Sequence, residues 1–353
     1  MQKEGLEHIK LSVTMALTIY LSSILEMNST AEKTVEIEYP DSIFDLKQDI
    51  GADFIENFIK KNDLKPLVDL IKNVVDKTRK TKGRSVIISL CSEKGGVGKS
   101  TITIILSQLL ANIGLRTYVV DTDYLQSSSK IILNRQKLIY KALSEKQDMG
   151  VPIESVIAYK RGLEPIVNCE QVSVDNYSAS FIDDIAKTEK YDVVVIDTSG
   201  HKSDEAGTFL ESKKGAASVA HTTSAYVSDA VIVPMQCTHI DMDAALTYYI
   251  ALTRFLHKLN FKEPNKNTVA KILPSKLEAD SSTLKSLNEF KQDSGASFFD
   301  VPVRQSRKIA NTTSFNSTDT LFFTNVAKNV LESFYCIAYE LFEEIGKNIG
   351  GGE

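Results

Sequence analysis

The sequence predicts a doubly wound α/β fold with a mostly parallel sheet, preceded by a small helical N-terminal region. Three observations carry this expectation. Apolar runs rich in Val and Ile occupy residues 86–90, 117–120, 191–196, 230–233 and 269–273. They have the length of strands and no polar alternation, the mark of strands buried on both faces. Segments of helical length separate them, as crossovers in a parallel sheet require. A glycine-rich string directly follows the first run and opens a helical pattern. Sheets of this kind bind ligands at the carboxyl ends of their strands, so function is sought there.

The chain has 353 residues, enough for one large α/β domain and an appendage. With 42% hydrophobic and 25% charged residues it can bury a core. A formal net charge of −5 excludes a uniformly basic coat for nucleic acid while leaving room for a local basic patch. Cys91, Cys169, Cys237 and Cys336 lie far apart and form no Cys-x-x-Cys pair. That argues against a zinc site or a disulfide framework and makes a reducing cytoplasm the expected setting.

Residues 11–25 are uncharged but too short to span a bilayer. Leu6, Ile9, Val13, Leu17, Tyr20 and Ile24 recur at helical spacing, which favours an amphipathic helix over a secretory signal. Two further helices are expected, one through Ile43, Leu46, Ile50, Phe54 and Phe58, the other through Leu67, Leu70, Ile71, Val74 and Val75 after Pro66. Together these define a helical extension over residues 1–84 and a second domain over 85–353. The boundary falls at Lys77, Arg79, Lys80, Lys82, Gly83 and Arg84, a basic, turn-prone run read as a linker or solvated helix end, with DNA-phosphate contact as the alternative.

After the first strand come Glu93-Lys94-Gly95-Gly96-Val97-Gly98-Lys99-Ser100-Thr101 and an apolar helix through Ile102, Ile105, Leu106 and Leu109. Glycines let the backbone wrap phosphate oxygens, and the loop and helix N-terminus supply N–H donors. Lys99 is placed to reach the β and γ phosphates and Ser100 to ligate Mg²⁺. Glu93 stands where the common G-x-x-x-x-G-K-[ST] pattern has its first glycine.

The string Lys94-Gly-Gly-Val-Gly-Lys-Ser resembles the deviant Walker A motif of the ParA/MinD superfamily of P-loop ATPases, with Lys94 at the position of the signature lysine. The resemblance covers about residues 85–340. It implies ATP and Mg²⁺ as ligands and a homodimer that forms with ATP, Lys94 crossing to the partner's nucleotide. Val119-Val120-Asp121-Thr122-Asp123 resembles the switch I of the family, which assigns Asp123 to the attacking water and Asp121 to the Mg²⁺ shell. Tyr124-Leu125-Gln126 departs from the usual Asp-Pro-Gln continuation. The strand ending in Asp197 looks like Walker B, with Asp197 holding Mg²⁺ through water. Gly200-His201-Lys202-Ser203 resembles a switch II, and His201 is given no chemistry. Val301-Pro302-Val303-Arg304 resembles the loop lining the adenine pocket, so Pro302 and Val303 join the nucleotide-binding residues Gly95, Gly96, Val97, Gly98, Lys99, Ser100 and Thr101.

Arg304, Arg307 and Lys308 form a basic cluster that, joined by Lys271 and Lys276, is read either as a DNA-phosphate contact or as a solvated helix end. The resemblance is nearest to plasmid-partition ParA proteins. It implies a nucleoid-associated cytoplasmic ATPase that binds nonspecific DNA and answers to a ParB-type centromere-binding partner. A MinD-like positioning ATPase would want a basic amphipathic C-terminal helix. Residues 333–347 instead carry Glu340, Glu343 and Glu344, which suits a helix docked on the core and no membrane. An ATP-gated regulatory scaffold, with the N-terminal extension reading an operator, stands as a further alternative.

Overall fold

A computed structural model describes residues 59–60, 63–123, 128–132, 134, 138, 141, 168–171, 177–200, 216–263, 267–278, 281–307, 309 and 328–350. The two helices expected before residue 59 lie outside these residues, as do His201, Lys308 and Gln126.

Six strands form one sheet: β1 (Val86–Leu90), β2 (Thr117–Asp121), β3 (Asn168–Gln171), β4 (Val193–Asp197), β5 (Ala230–Gln236) and β6 (Val269–Ser275). Their order is β3-β2-β4-β1-β5-β6, and every pairing is parallel. The five apolar runs became five of these strands. The short edge strand β3, Asn-Cys-Glu-Gln, has no apolar run to announce it.

Side chains alternate along β1, so its two faces join different cores. Val86, Ile88 and Leu90 meet the helices α1 (Lys65–Lys82), α2 (Lys99–Asn112) and α7 (Lys328–Gly350). Ile87 faces the other way, into a cluster with α3 (Ala179–Lys187) and α4 (Ala216–Val227). On that second face, β5 and β6 are covered by α5 (His239–Lys262) and α6 (Ser281–Ser294). The sheet is covered on both sides, as its unbroken apolar strands require.

The helix α1 begins at a proline in its first turn and ends on Gly83, whose φ of 64° lets its N–H close onto the Arg79 carbonyl at 3.0 Å. The sequence pattern alone places this helix in the N-terminal extension. Its Leu67, Val68, Ile71, Val74 and Val75 instead belong to the same buried cluster as β1 and the Phe334, Leu341 and Phe342 of α7. At Gly346 the two helices come so close that a Cβ would lie 2.9 Å from Val74 Cγ2.

The basic run, which closes α1 and ends just past it, is not a free linker, and three of its cations are paired with carboxylates of the sheet domain. Arg84 forks onto Asp229 at 2.7 and 3.0 Å, and Lys82 reaches the same carboxylate at 2.6 Å. Arg79 pairs with Asp192 at 2.8 Å, alongside Arg116. Asp229 is almost fully buried and also accepts the Ile87 N–H at 2.9 Å. Burial works to raise its pKa, but the charges and hydrogen bonds of Arg84 and Lys82 outweigh it and hold the carboxylate below the usual range.

The apolar face of α7 is spent on the core, through Phe334, Ile337, Ala338, Leu341, Phe342 and Ile345. Among the described residues no helix is long and apolar enough to cross a membrane.

Candidate nucleotide site

The site lies at the carboxyl ends of β1, β2 and β4, where the strand order turns back on either side of β1. The chain leaves β1 at Cys91 and reaches α2 through two left-handed glycines, Gly96 (φ 76°) and Gly98 (φ 99°). Only glycine takes these φ values without strain. The turn is braced from outside: Gln236 Nε2 donates to the Gly96 carbonyl at 2.8 Å, Lys276 donates to the same oxygen, and Ser275 Oγ donates to the Val97 carbonyl at 2.7 Å.

A cavity of about 370 Å³ opens over this loop, lined by Gly95, Gly96, Gly98, Lys99, Ser100, Thr101, Ile104, Asp123, Gly200 and Lys276 among others. Lys99 is only 6% exposed, and its amine lies against the carbonyls of Ser92 (3.1 Å) and Lys94 (3.0 Å). Burial pushes the Lys99 pKa down, and the nearby Asp197 carboxylate works against that shift. A cation held this way can exchange carbonyl partners for phosphate oxygens.

Asp121 and Asp197 end adjacent strands in register. Asp121 accepts backbone N–H groups from Asp123 (3.0 Å) and Ser129 (2.8 Å). Asp197 is fully buried, and neither of its carboxylate oxygens has a hydrogen-bond partner. Burial first, and then the neighbouring Asp121, raise its pKa to about 7, with Ser100 and Ser128 close enough to temper the rise. Two buried carboxylates beside a helix-start serine fit a divalent cation, which would supply the missing positive charge. Ser100, Asp121 and Asp197, the three residues expected to hold Mg²⁺, are thus brought together.

The loop after β4 closes the site. A Cβ on Gly200 would lie 2.6 Å from Lys99 Nζ, 2.9 Å from Gly95 Cα and 3.1 Å from the Lys94 carbonyl. Any residue but glycine would collide with the phosphate loop there.

Lys94 stands at the edge of the site and is ion-paired with Asp241 of the same chain. A second cavity, of about 280 Å³, shares Gly98, Thr101 and Lys276 with the first and is also lined by Ile102, Val303, Arg304 and Arg307 among others. Of the two residues read as lining the adenine pocket, Val303 lines this cavity and Pro302, next to it, does not. Arg304 and Arg307 line the same cavity as Gly98 and Thr101 of the phosphate loop. Lys271 departs further from expectation: it is 6% exposed and paired with Glu340 and, at 3.1 Å, Glu344, so its ammonium is not offered to DNA.

Sequence reasoning missed Lys276 as a loop-bracing residue, and missed His221 and Tyr248, which are buried behind Ser199. The first lies far from the loop in sequence. The other two sit among apolar neighbours on helices, with no motif to mark them.

The fold and this site define a phosphate-loop nucleotide-binding protein. The family model described as the CobQ/CobB/MinD/ParA nucleotide binding domain matches residues 88–318, more than half of the chain, and the chain belongs to that family. It is 29% identical over 133 residues to an uncharacterized ATP-binding protein of Methanocaldococcus jannaschii, a match covering 35% of this chain and 49% of that one. The chain thus spans about half the length of this curated relative. Among solved structures, it is similar to the MinD cell division protein of Aquifex aeolicus, with 14% identity, a TM-score of 0.48, and coverage of 73% of this chain and 98% of that one. It is also similar to a plasmid partition protein of Borrelia burgdorferi, with 18% identity, a TM-score of 0.44, and coverage of 74% and 99%. A third is cobyrinic acid a,c-diamide synthase of Mycobacterium smegmatis with bound ADP and magnesium, with 14% identity, a TM-score of 0.44, and coverage of 76% and 97%.

Proposed function

We propose that the chain is a Mg²⁺-dependent ATPase of the ParA kind, which dimerises on ATP, binds nonspecific DNA, and hydrolyses ATP in response to a ParB-type partner, so that plasmid or chromosomal DNA is partitioned. The observation that carries the nucleotide part is the fully buried Asp197 carboxylate, without a hydrogen-bond partner, beside Ser100 and Lys99. Ser100, Asp121 and Asp197 would hold the cation, which neutralises phosphate charge when bound.

In this reading Lys99 holds the terminal phosphates, and Asp123, which lines the cavity, orients the attacking water. Lys94, 37% exposed as a side chain, is the group that would serve a partner's nucleotide. Family membership supports the nucleotide switch. The packing of α7 on the core supports a partition role over a MinD-like membrane role, because that helix has no apolar face to spare for lipid. The DNA contact rests on Arg304 and Arg307 and on Lys308.

The test is duplex DNA binding with ATP, with ADP, and for Lys99→Ala and Lys94→Ala, at several fixed salt concentrations. Binding that needs ATP and both lysines is the expected result. ATP binding and dimerisation without DNA binding would sink the partition reading.

A further inference from the structure

Behind the Gly200 backbone, two buried polar side chains meet that the phosphate chemistry does not use. His221 on α4 is 2% exposed and Tyr248 on α5 is 4% exposed. Their rings meet edge to face, 5.7 Å apart at 90°. His221 Nε2 lies 2.8 Å from the Ser199 carbonyl oxygen, and His221 Nδ1 lies 3.1 Å from the Tyr248 hydroxyl.

The direction of this line follows from chemistry. A carbonyl only accepts, so Nε2 carries the proton. Burial pushes the imidazole down to about 4, against the pull of the Ser199 carbonyl, so the ring is neutral at physiological pH. Nδ1 is then bare, and the Tyr248 hydroxyl donates to it. The line runs from Tyr248 through His221 to the carbonyl of Ser199, the residue before Gly200.

Gly200 is the residue pressed onto Lys99 and Gly95. The Lys99 amine marks the β- and γ-phosphate end of a bound nucleotide. Displacing Ser199 therefore displaces the backbone that abuts that end. Tyr248 also lines, with Ser92, Glu93, Lys94 and Asp241, a cavity of about 120 Å³ between the loop and α5. The helix that holds the Tyr248 end of the line thus also carries Asp241, the partner of Lys94.

We propose that His221, oriented by Tyr248, is a positioning residue that fixes the Ser199–Gly200 backbone where it distinguishes a nucleoside triphosphate from a diphosphate. The inference rests on the ATPase reading and deepens it. It places the sensing of the third phosphate in the packing of α4 and α5 as well as in the loop itself.

The experiment measures affinity for a non-hydrolysable ATP analogue and for ADP, both with Mg²⁺, on the full chain as wild type, His221→Leu, His221→Gln and Tyr248→Phe, with a thermal melt of each. His221→Leu is expected to weaken the triphosphate analogue about tenfold while ADP changes by less than about twofold. His221→Gln, which offers a donor to Ser199 and an acceptor to Tyr248, restores the analogue to within about threefold of wild type. Tyr248→Phe loses about threefold on the analogue alone. A purely structural role would move both ligands together, so equal losses, no loss, or a glutamine no better than leucine overturns the inference. Should His221→Leu not fold, Tyr248→Phe decides by the same criterion. A wild-type protein that binds neither nucleotide overturns the ATPase reading and the inference with it; binding without the split overturns the inference alone.

Discussion

Lys94, at the edge of the phosphate loop, is ion-paired with Asp241, a carboxylate in the first turn of α5 that is only 5% exposed. A lysine that serves a partner's nucleotide has to leave this pair, and leaving exposes the cost of an unpaired buried charge. Asp241→Asn keeps an oxygen for Thr238 Oγ1, now 2.6 Å from the carboxylate, and removes that cost. It is expected to lower the protein concentration needed for ATP-dependent association by about fivefold in sedimentation velocity. Lys94→Ala should abolish association while ATP affinity stays within about threefold. An Asp241→Asn protein that associates as wild type does would show that the pair places no restraint on Lys94.

The Asp197 carboxyl couples metal, proton and stability. Its folded pKa, about 7, lies above the ordinary aspartate value of 3.8. Between those values the folded chain binds a proton that the unfolded chain does not, so stability is lost as pH rises through that window. Without Mg²⁺ and nucleotide, Tm should fall between pH 5 and pH 8, and Asp197→Asn should flatten the fall and raise Tm at pH 8 by about 3 °C or more. Mg²⁺ with nucleotide should release a proton near pH 6.5, seen by calorimetry in buffers of different ionisation enthalpy. A flat wild-type profile would remove the basis for a strained carboxylate pair.

Gly200→Ala tests the contact between the β4 loop and the phosphate loop. The added methyl meets Lys99 Nζ at 2.6 Å and Gly95 Cα at 2.9 Å, and backbone cannot yield as a side-chain tip can. Hydrolysis is expected to fall by at least about tenfold, with Tm shifted by less than about 3 °C. An alanine variant with wild-type turnover would show that the two loops need not touch during the reaction.

The Asp229 cluster predicts a stability effect with no effect on chemistry. Replacing Asp229 by Asn leaves Arg84, 12% exposed as a side chain, and Lys82 without their buried counter-charge. The expected loss is about 3 kcal/mol in urea unfolding, with nucleotide affinity per folded molecule unchanged. A loss under about 1 kcal/mol would place the cluster with exposed ion pairs.

What the sequence made legible was what is local. The strands before and after the phosphate loop, the loop glycines, and the carboxylates at the ends of β2 and β4 each lie within a few residues of the signal that reveals them. The register that sets Asp121 beside Asp197 does not, because it depends on two strands more than 70 residues apart meeting in a parallel ladder. The ion pairs of Arg79, Lys82 and Arg84 at the end of α1 are illegible for the same reason: Asp192 and Asp229, which accept them, lie more than 100 residues downstream. Lys271 read as a surface cation because the Glu340 that buries it stands 69 residues away, on a helix with its own apolar pattern. His221 carries no motif at all. Its role appears only when α4, α5 and the residue before Gly200 meet in space.

The contact of α1 with α7 across Gly346 has a consequence for how the chain comes off the ribosome. The buried stripe of α1 is made before the first strand, yet one of the two surfaces that cover it is the last described helix to be synthesised. Until then, Ile71 and Val74 present an apolar strip to water, and the sheet lacks part of its cover. Closing that gap joins residues more than 250 positions apart, a long loop closure that slows folding and leaves a sticky intermediate. This protein is therefore expected to lean on chaperones until α7 is made, and a nascent chain arrested before α7 should bind them more than one arrested after it.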